Sequence, residues 1–228
     1  MTRRSPCIAI DGPVGAGKST VARLVAQHLG YTYIDSGAMY RALAWAVRRS
    51  DITPDDPERV VQLLQTTDIQ LKPRPDGVNQ IVVDGDDVTN EIRSPDISQL
   101  ASKLSAIPPV RRRMVALQQD TAREGGVVME GRDIQTVVLP ESEVKIFLTA
   151  SPEERARRRW AELRQRGLEA NLADVLAEIQ ARDRRDSARE DSPLKPAPDA
   201  VHLNTDGLTI EQVVARVLDL VREHTSPR

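Results

Sequence analysis

Eight consecutive residues carry the clearest chemistry in the chain. Gly12-Pro13-Val14-Gly15-Ala16-Gly17-Lys18-Ser19, with Thr20 directly after them, match the spacing G-x-x-x-x-G-K-[ST] in full. Glycines let backbone N–H groups face inward without a Cβ in the way, so such a loop can surround a row of phosphates with donors. A helix starting at the end of the loop would point its positive end at the same anion. In that setting Lys18 reaches the β- and γ-phosphates of ATP, and the Ser19 hydroxyl ligates Mg²⁺. A glycine-rich turn of purely structural origin would need neither the lysine nor the hydroxyl.

A magnesium site also wants an acid at the end of a neighbouring apolar strand. The run 127–129 leads into Glu130 and the run 31–34 into Asp35. Either acid could act through water, and each alone would serve equally well as a helix cap or turn residue. Arginines form the second chemical group, dense over residues 155–189. Arg182, Asp186 and Arg189 fall at i, i+4 and i+7 and so share one helix face. Arg155 with Arg158 or Arg159 makes a similar row on the preceding helix. Phosphoryl transfer spreads negative charge over several oxygens, and guanidinium forks match that charge. Two adjacent arginine-rich helices therefore look like a lid over phosphates. Asp183, Asp186 and Asp191 are interleaved with them, so internal salt bridges are the plainer explanation on composition alone; the phosphate loop on the same chain favours the anion site.

The acceptor decides whether a base is needed. A hydroxyl acceptor must lose a proton, whereas a phosphate acceptor is already ionised near neutral pH and needs positioning and charge neutralisation. Many arginines and no obvious base favour a phosphate acceptor, although Asp35 or Asp133 is available as a base. The strings D-x-x-G and N-K-x-D expected of a GTPase switch do not occur, and a polynucleotide motor would be longer, with more motifs.

These residues need elements to hold them. Residues 7–10 form an apolar run that reads as a buried strand, and 19–29 has apolar residues at helical spacing before Gly30. A strand at 31–34 and a helix at 39–47 follow. Strand, glycine loop, helix, strand opens a doubly wound parallel sheet. Residues 69–71 and 80–83 read as short strands about a turn at Pro73-Arg74-Pro75-Asp76-Gly77, which predicts a small antiparallel insert over 68–92. Residues 94–123 are mainly helical, 127–129 and 144–148 are buried strands, and polar helices cover 152–166 and 171–190. A strand at 201–203 and a helix at 210–221 close the chain.

Bulk properties bound the partners. Hydrophobic residues make up 39% of the 228, enough for a folded core. The net charge of -2 argues against a chain built to coat nucleic acid. The single cysteine, Cys7, allows no internal disulfide, and no Cys/His cluster has metal-ligand spacing. No apolar run is long enough to span a bilayer, and the apolar stretch behind the basic N-terminus is too short for a secretory signal. A soluble cytoplasmic monomer without a membrane or nucleic-acid partner is the expectation.

The chain resembles the bacterial cytidylate kinases nearly from end to end. The resemblance is carried by I-D-G-P-V-G-A-G-K-S-T from Ile10, D-S-G-A-M-Y-R from Asp35, V-T-N-E-I-R from Val88 and I-P-P-V-R from Ile107. It continues in E-G-R-D from Glu130, V-K-I-F-L from Val144 and R-D-R-R-D-S-A-R from Arg182. It implies an ATP- and Mg²⁺-dependent transfer to CMP or dCMP; a related kinase acting on UMP or a hydroxyl, or an ATP-binding regulatory module, is the competing expectation. It further implies that Ser36, Arg41 and Arg132 hold the acceptor phosphate, and that Ser102, Arg111 and Arg189 read the cytosine. Asp133, Arg182 and Asp186 would hold the ribose and position the acceptor, and Arg155 and Arg159 would belong to the lid on the ATP side. Lys18, Arg132, Arg182 and Asp186 form the implied catalytic set. The implied division is a core at 1–35, 124–150 and 198–228, a monophosphate-binding region at 36–123 and a helical lid at about 151–191. Cytosine offers an amine donor beside two acceptors, which suits a hydroxyl and guanidiniums. Val14 stands where the family often has Ser or Ala, and Glu130 where Asp is common; Pro109 is tolerable at a helix start.

Overall fold

A computed structural model describes residues 5–72, 74 and 77–225. The central sheet contains β1 (Cys7–Asp11), β2 (Thr32–Asp35), β6 (Val127–Gly131), β7 (Val144–Thr149) and β8 (Val201–Asn204). Its strands are all parallel, in the order β2-β6-β1-β7-β8. β1 is buried at every position because helices cover both faces of the sheet, as a parallel sheet requires. Its side chains alternate accordingly. Cys7 and Ala9 join a core with α2 (Ser36–Arg49), α4 (Pro95–Leu104) and α5 (Pro108–Thr121); Ile8 and Ile10 join one with α1 (Lys18–Leu29) and α8 (Ile210–Thr225).

The antiparallel insert is present as β3 (Ile69–Lys72), β4 (Gln80–Val83) and β5 (Asp86–Asp87), paired in that order. Of the expected turn at 73–77, Pro73, Pro75 and Asp76 lie outside the described residues; Gly77 donates its N–H to the Arg74 carbonyl at 2.9 Å. The insert leans on the main sheet through Asn79, whose Nδ2 donates to the Tyr33 carbonyl of β2 at 2.7 Å.

Local signals explain where helices begin. Asp35 accepts from the Ala38 N–H at 2.8 Å, so α2 starts at Ser36, three residues before the apolar periodicity suggests. Helix α3 (Pro57–Thr66) has no counterpart in the sequence reading. Its marks are an Asp56 cap followed by a proline at the first turn, the same pattern as Ser94-Pro95 at α4 and Ser151-Pro152 at α6 (Pro152–Gln165). α7 (Leu172–Ser187) ends short of the expected 190, so Arg189 lies just beyond it. α6 and α7 share a small core of Ala156, Val175 and Ile179, against which Trp160, Leu163 and Val14 of the glycine loop pack.

Candidate active site

The glycine loop bridges β1 and α1 at the carboxyl end of the sheet. Gly12 has φ +150, and a Cβ there would stand 1.9 Å from the Leu148 carbonyl oxygen, so the loop can pass β7 only as glycine. Gly15 and Gly17 are left-handed at φ +78 and +89. Lys18 is buried and folds back, donating from Nζ to the Pro13 carbonyl at 2.8 Å. Its ammonium is pushed down to about 7, first by burial and then by Arg132, with Glu130 and Asp11 resisting. An anion in the loop would relieve that repulsion.

The Ser19 hydroxyl donates to Glu130 Oε1 at 2.5 Å, and Tyr33 donates to the same oxygen at 3.3 Å. Burial holds the Glu130 carboxyl above its ordinary range, with Asp35 adding to the rise and Lys18 opposing it. Asp35 is engaged elsewhere, capping α2 and accepting from Arg41 Nη2 at 2.9 Å. Of the two acids, Glu130 therefore faces the Ser19 hydroxyl. Among the described residues no group of three or more His, Cys, Asp or Glu could by itself hold a metal ion. One hydroxyl and one nearby carboxylate do fit Mg²⁺, which keeps several waters and takes its remaining ligands from phosphates.

Asp186 organises the arginines. It is 1% exposed and accepts from Arg132 Nε at 3.0 Å and from Arg189 Nη2 at 2.5 Å, with Arg182 Nε 3.9 Å away. Burial alone would raise this carboxyl, but Arg132, Arg189 and Arg182 outweigh it and hold it below the usual range. Arg182 is depressed to about 10 by burial and by Arg132, and its Nε is buried without a hydrogen-bond partner. One carboxylate among three guanidiniums leaves positive charge in excess, which suits a bound phosphate.

Next to this cluster Arg111 Nη1 donates to Asp133 Oδ2 at 2.5 Å, with both side chains buried. Arg111 also lies over the Tyr40 ring at 5.7 Å. Ser105 ties the two expected base-reading arginines together: its carbonyl accepts from Arg111 Nε at 2.9 Å and its hydroxyl from Arg189 Nη2 at 3.1 Å. Ser102 is half-buried one turn earlier in α4, and its carbonyl accepts from the Ser105 hydroxyl at 2.9 Å. Ser36 donates to the Glu130 carbonyl at 2.6 Å.

Most residues singled out from sequence are thus linked. Lys18, Ser19, Ser36, Glu130, Arg132, Asp133, Arg111, Arg182, Asp186 and Arg189 form a near-continuous network between the glycine loop, β6, α5 and α7. Arg155 joins from α6, donating to the Val14 carbonyl at 3.1 Å and pairing with Asp183 at 2.7 Å. Arg159 instead pairs with Glu162 on its own helix at 2.9 Å. Asp11, Tyr33, Tyr40 and Ser105 were not singled out. Asp11 and Tyr40 stand in the strings from Ile10 and Asp35, and Asp11 is also a charge ending an apolar strand; Tyr33 and Ser105 carry no such signal.

The family model described as cytidylate kinase matches residues 8–223. The chain is 50% identical over 213 residues to a cytidylate kinase of Caldicellulosiruptor bescii, covering 93% of this chain and 94% of that one. It is 51% identical over 220 residues to a cytidylate kinase of Geobacillus thermodenitrificans, covering 96% and 98%. An uncharacterised protein from Eubacterium ventriosum of known structure aligns over 96% of this chain and 99% of that chain with a TM-score of 0.52 at 11% identity, a likeness of fold alone.

Proposed function

This chain belongs to the cytidylate kinase family, and on that premise we propose how its site divides the work. The enzyme transfers the γ-phosphoryl group of ATP to CMP, giving CDP and ADP. The observation that carries the assignment is the meeting of two anion sites, with Lys18 in electrostatic contact with both Arg132 and Arg182.

On the donor side, residues 12–20 wrap the triphosphate, and Lys18 turns from the Pro13 carbonyl to the β- and γ-phosphates. Ser19 would hold Mg²⁺ directly and Glu130 would hold it through water. Held there, the ion would supply charge neutralisation for the phosphates. Arg155 fixes α6 to the loop, and Arg159 completes the lid. On the acceptor side, Ser36, Arg41 and Arg132 take the phosphate of CMP or dCMP. Ser102, Arg111 and Arg189 read the cytosine. Asp133, Arg182 and Asp186 place the ribose and keep the arginines in register.

The acceptor phosphate is its own nucleophile, so the chain contributes orientation and charge rather than a base. The core, monophosphate-binding and lid divisions at 1–35, 124–150 and 198–228, at 36–123 and at 151–191 belong to the same proposal. A monomer as the working unit belongs to the same proposal. Among the described residues no helix is long and apolar enough to cross a membrane.

Steady-state turnover with CMP, dCMP, UMP and AMP tests the reading. CMP and dCMP should be used best; UMP turning over faster than CMP would overturn the base assignment.

A further inference from the structure

Asp11 is a fully buried carboxylate, 0% exposed, at the end of β1 and one residue before the phosphate loop. Its two oxygens are used separately. Oδ1 accepts from the Ile134 N–H at 3.0 Å and Oδ2 from the Gln135 N–H at 2.9 Å. These amides begin the π-type turn Ile134–Val138, where backbone donors otherwise lack partners. The residues directly before them are Arg132 and Asp133. Asp133 is held from the other side by Arg111, and its carbonyl accepts from the Val137 and Val138 N–H groups at 2.9 and 3.2 Å. Gln135 extends the tether, donating to the Ile146 carbonyl at 3.3 Å and accepting from the Ala197 N–H at 3.0 Å.

We propose that Asp11 is a positioning residue that fixes the acceptor-binding segment Arg132–Asp133 against the donor loop, so that the registry of the two substrates runs through one carboxylate. The inference rests on the assignment of Arg132 and Asp133 to the acceptor.

A carboxylate suits the task for a geometric reason. Two adjacent N–H donors need two acceptor oxygens, and each oxygen of the Asp11 carboxyl takes one of them. Asparagine would offer one oxygen and turn an NH₂ group towards the second N–H. Serine would reach one amide at most. The covalent distance is also short: Asp11 is bonded to Gly12, the glycine pinned against the Leu148 carbonyl, and so has little freedom to drift. The groups that act on Asp11 electrostatically are Asp133 and Lys18, one from each side of the site.

The test is Asp11→Asn in the full chain, assayed beside Arg132→Ala. Loss of one tether should raise KM for CMP about 5- to 20-fold while KM for ATP stays within about twofold, because a misplaced acceptor weakens positioning on one side only. A merely structural role would lower the active fraction, hence apparent kcat, and leave both KM values alone; that result overturns the proposal. If Arg132→Ala raises KM for CMP and Asp11→Asn does not, the inference falls and the acceptor assignment stands. If Arg132→Ala also leaves it unchanged, both fall. Should Asp11→Asn fail to fold, hydrogen exchange on the wild-type protein decides. CMP should slow exchange of the Ile134 and Gln135 amides at least about threefold, and unchanged exchange overturns the proposal.

Discussion

Arg155 donates from Nη1 to the carbonyl of Val14 at 3.1 Å, so the first helix of the arginine pair is anchored on the main chain of the phosphate loop itself. The Val14 side chain packs into the small core shared by α6 and α7. The loop is therefore both a phosphate cradle and the footing of the lid. Val14→Ala should leave the cradle's donors in place but loosen that footing. The expected loss is roughly 1 kcal/mol of stability, with a severalfold rise in KM for ATP and little change for CMP. Thermal melts and initial rates check it; an unchanged KM for ATP would show that α6 holds its place without Val14.

Lys18 gives a prediction in protons. Its ammonium is pushed down to about 7 by burial and Arg132, and triphosphate contact should restore the charged form. ATP binding above neutral pH must then take up a proton. Calorimetry at pH 8 in buffers of different ionisation enthalpy should show uptake approaching one proton, and affinity should fall up to about tenfold per pH unit above 7. Lys18→Ala should abolish both the uptake and, to within about 10²- to 10³-fold, the transfer.

The same shifts give stability a two-sided pH profile. Burial raises Asp11 from 3.8 to about 7, so between those values the folded state binds more protons than the unfolded and stability falls as pH rises. Lys18 is lowered from 10.5 to about 7, so over that range the unfolded state binds more protons and stability rises with pH. The two contributions therefore meet in a minimum near neutrality. Denaturant unfolding of wild type against Asp11→Asn should show the acid-side slope disappear in the variant; a slope that persists would assign it to other groups.

Asp186→Asn removes the carboxylate shared by Arg132, Arg189 and Arg182. Breaking such a buried set should cost about 3–5 kcal/mol in the free protein. The uncovered guanidiniums would then attract anions more strongly, so inorganic phosphate at millimolar levels should recover much of the loss. Melting temperatures with and without phosphate read this out, and equal stabilisation of wild type and variant would count against it.

Much of this was visible in the sequence for identifiable reasons. The glycine loop declares itself because every position in it has a separate physical task. β1, β6 and β7 declare themselves as short apolar runs, since both their faces are covered. The insert showed through paired strands about a turn. Helix α3 was not seen because its cue lies in the Asp56-Pro57 start rather than in a long apolar stripe. Arg155 and Arg159 look equivalent in sequence, yet the fold turns one onto Val14 and the other onto Glu162. The double use of Asp11 depends on amides 123 and 124 positions away, which no local pattern reports.

The Asn79 contact to the Tyr33 carbonyl has a consequence for solubility. β2 is a border strand of the main sheet, and a border strand exposes backbone groups to which a stray chain can add itself. The antiparallel insert occupies one of those groups with a side-chain amide and stands against that border. Excising it would bare a template for intermolecular strand addition, so a shortened chain should precipitate before it loses its phosphate loop.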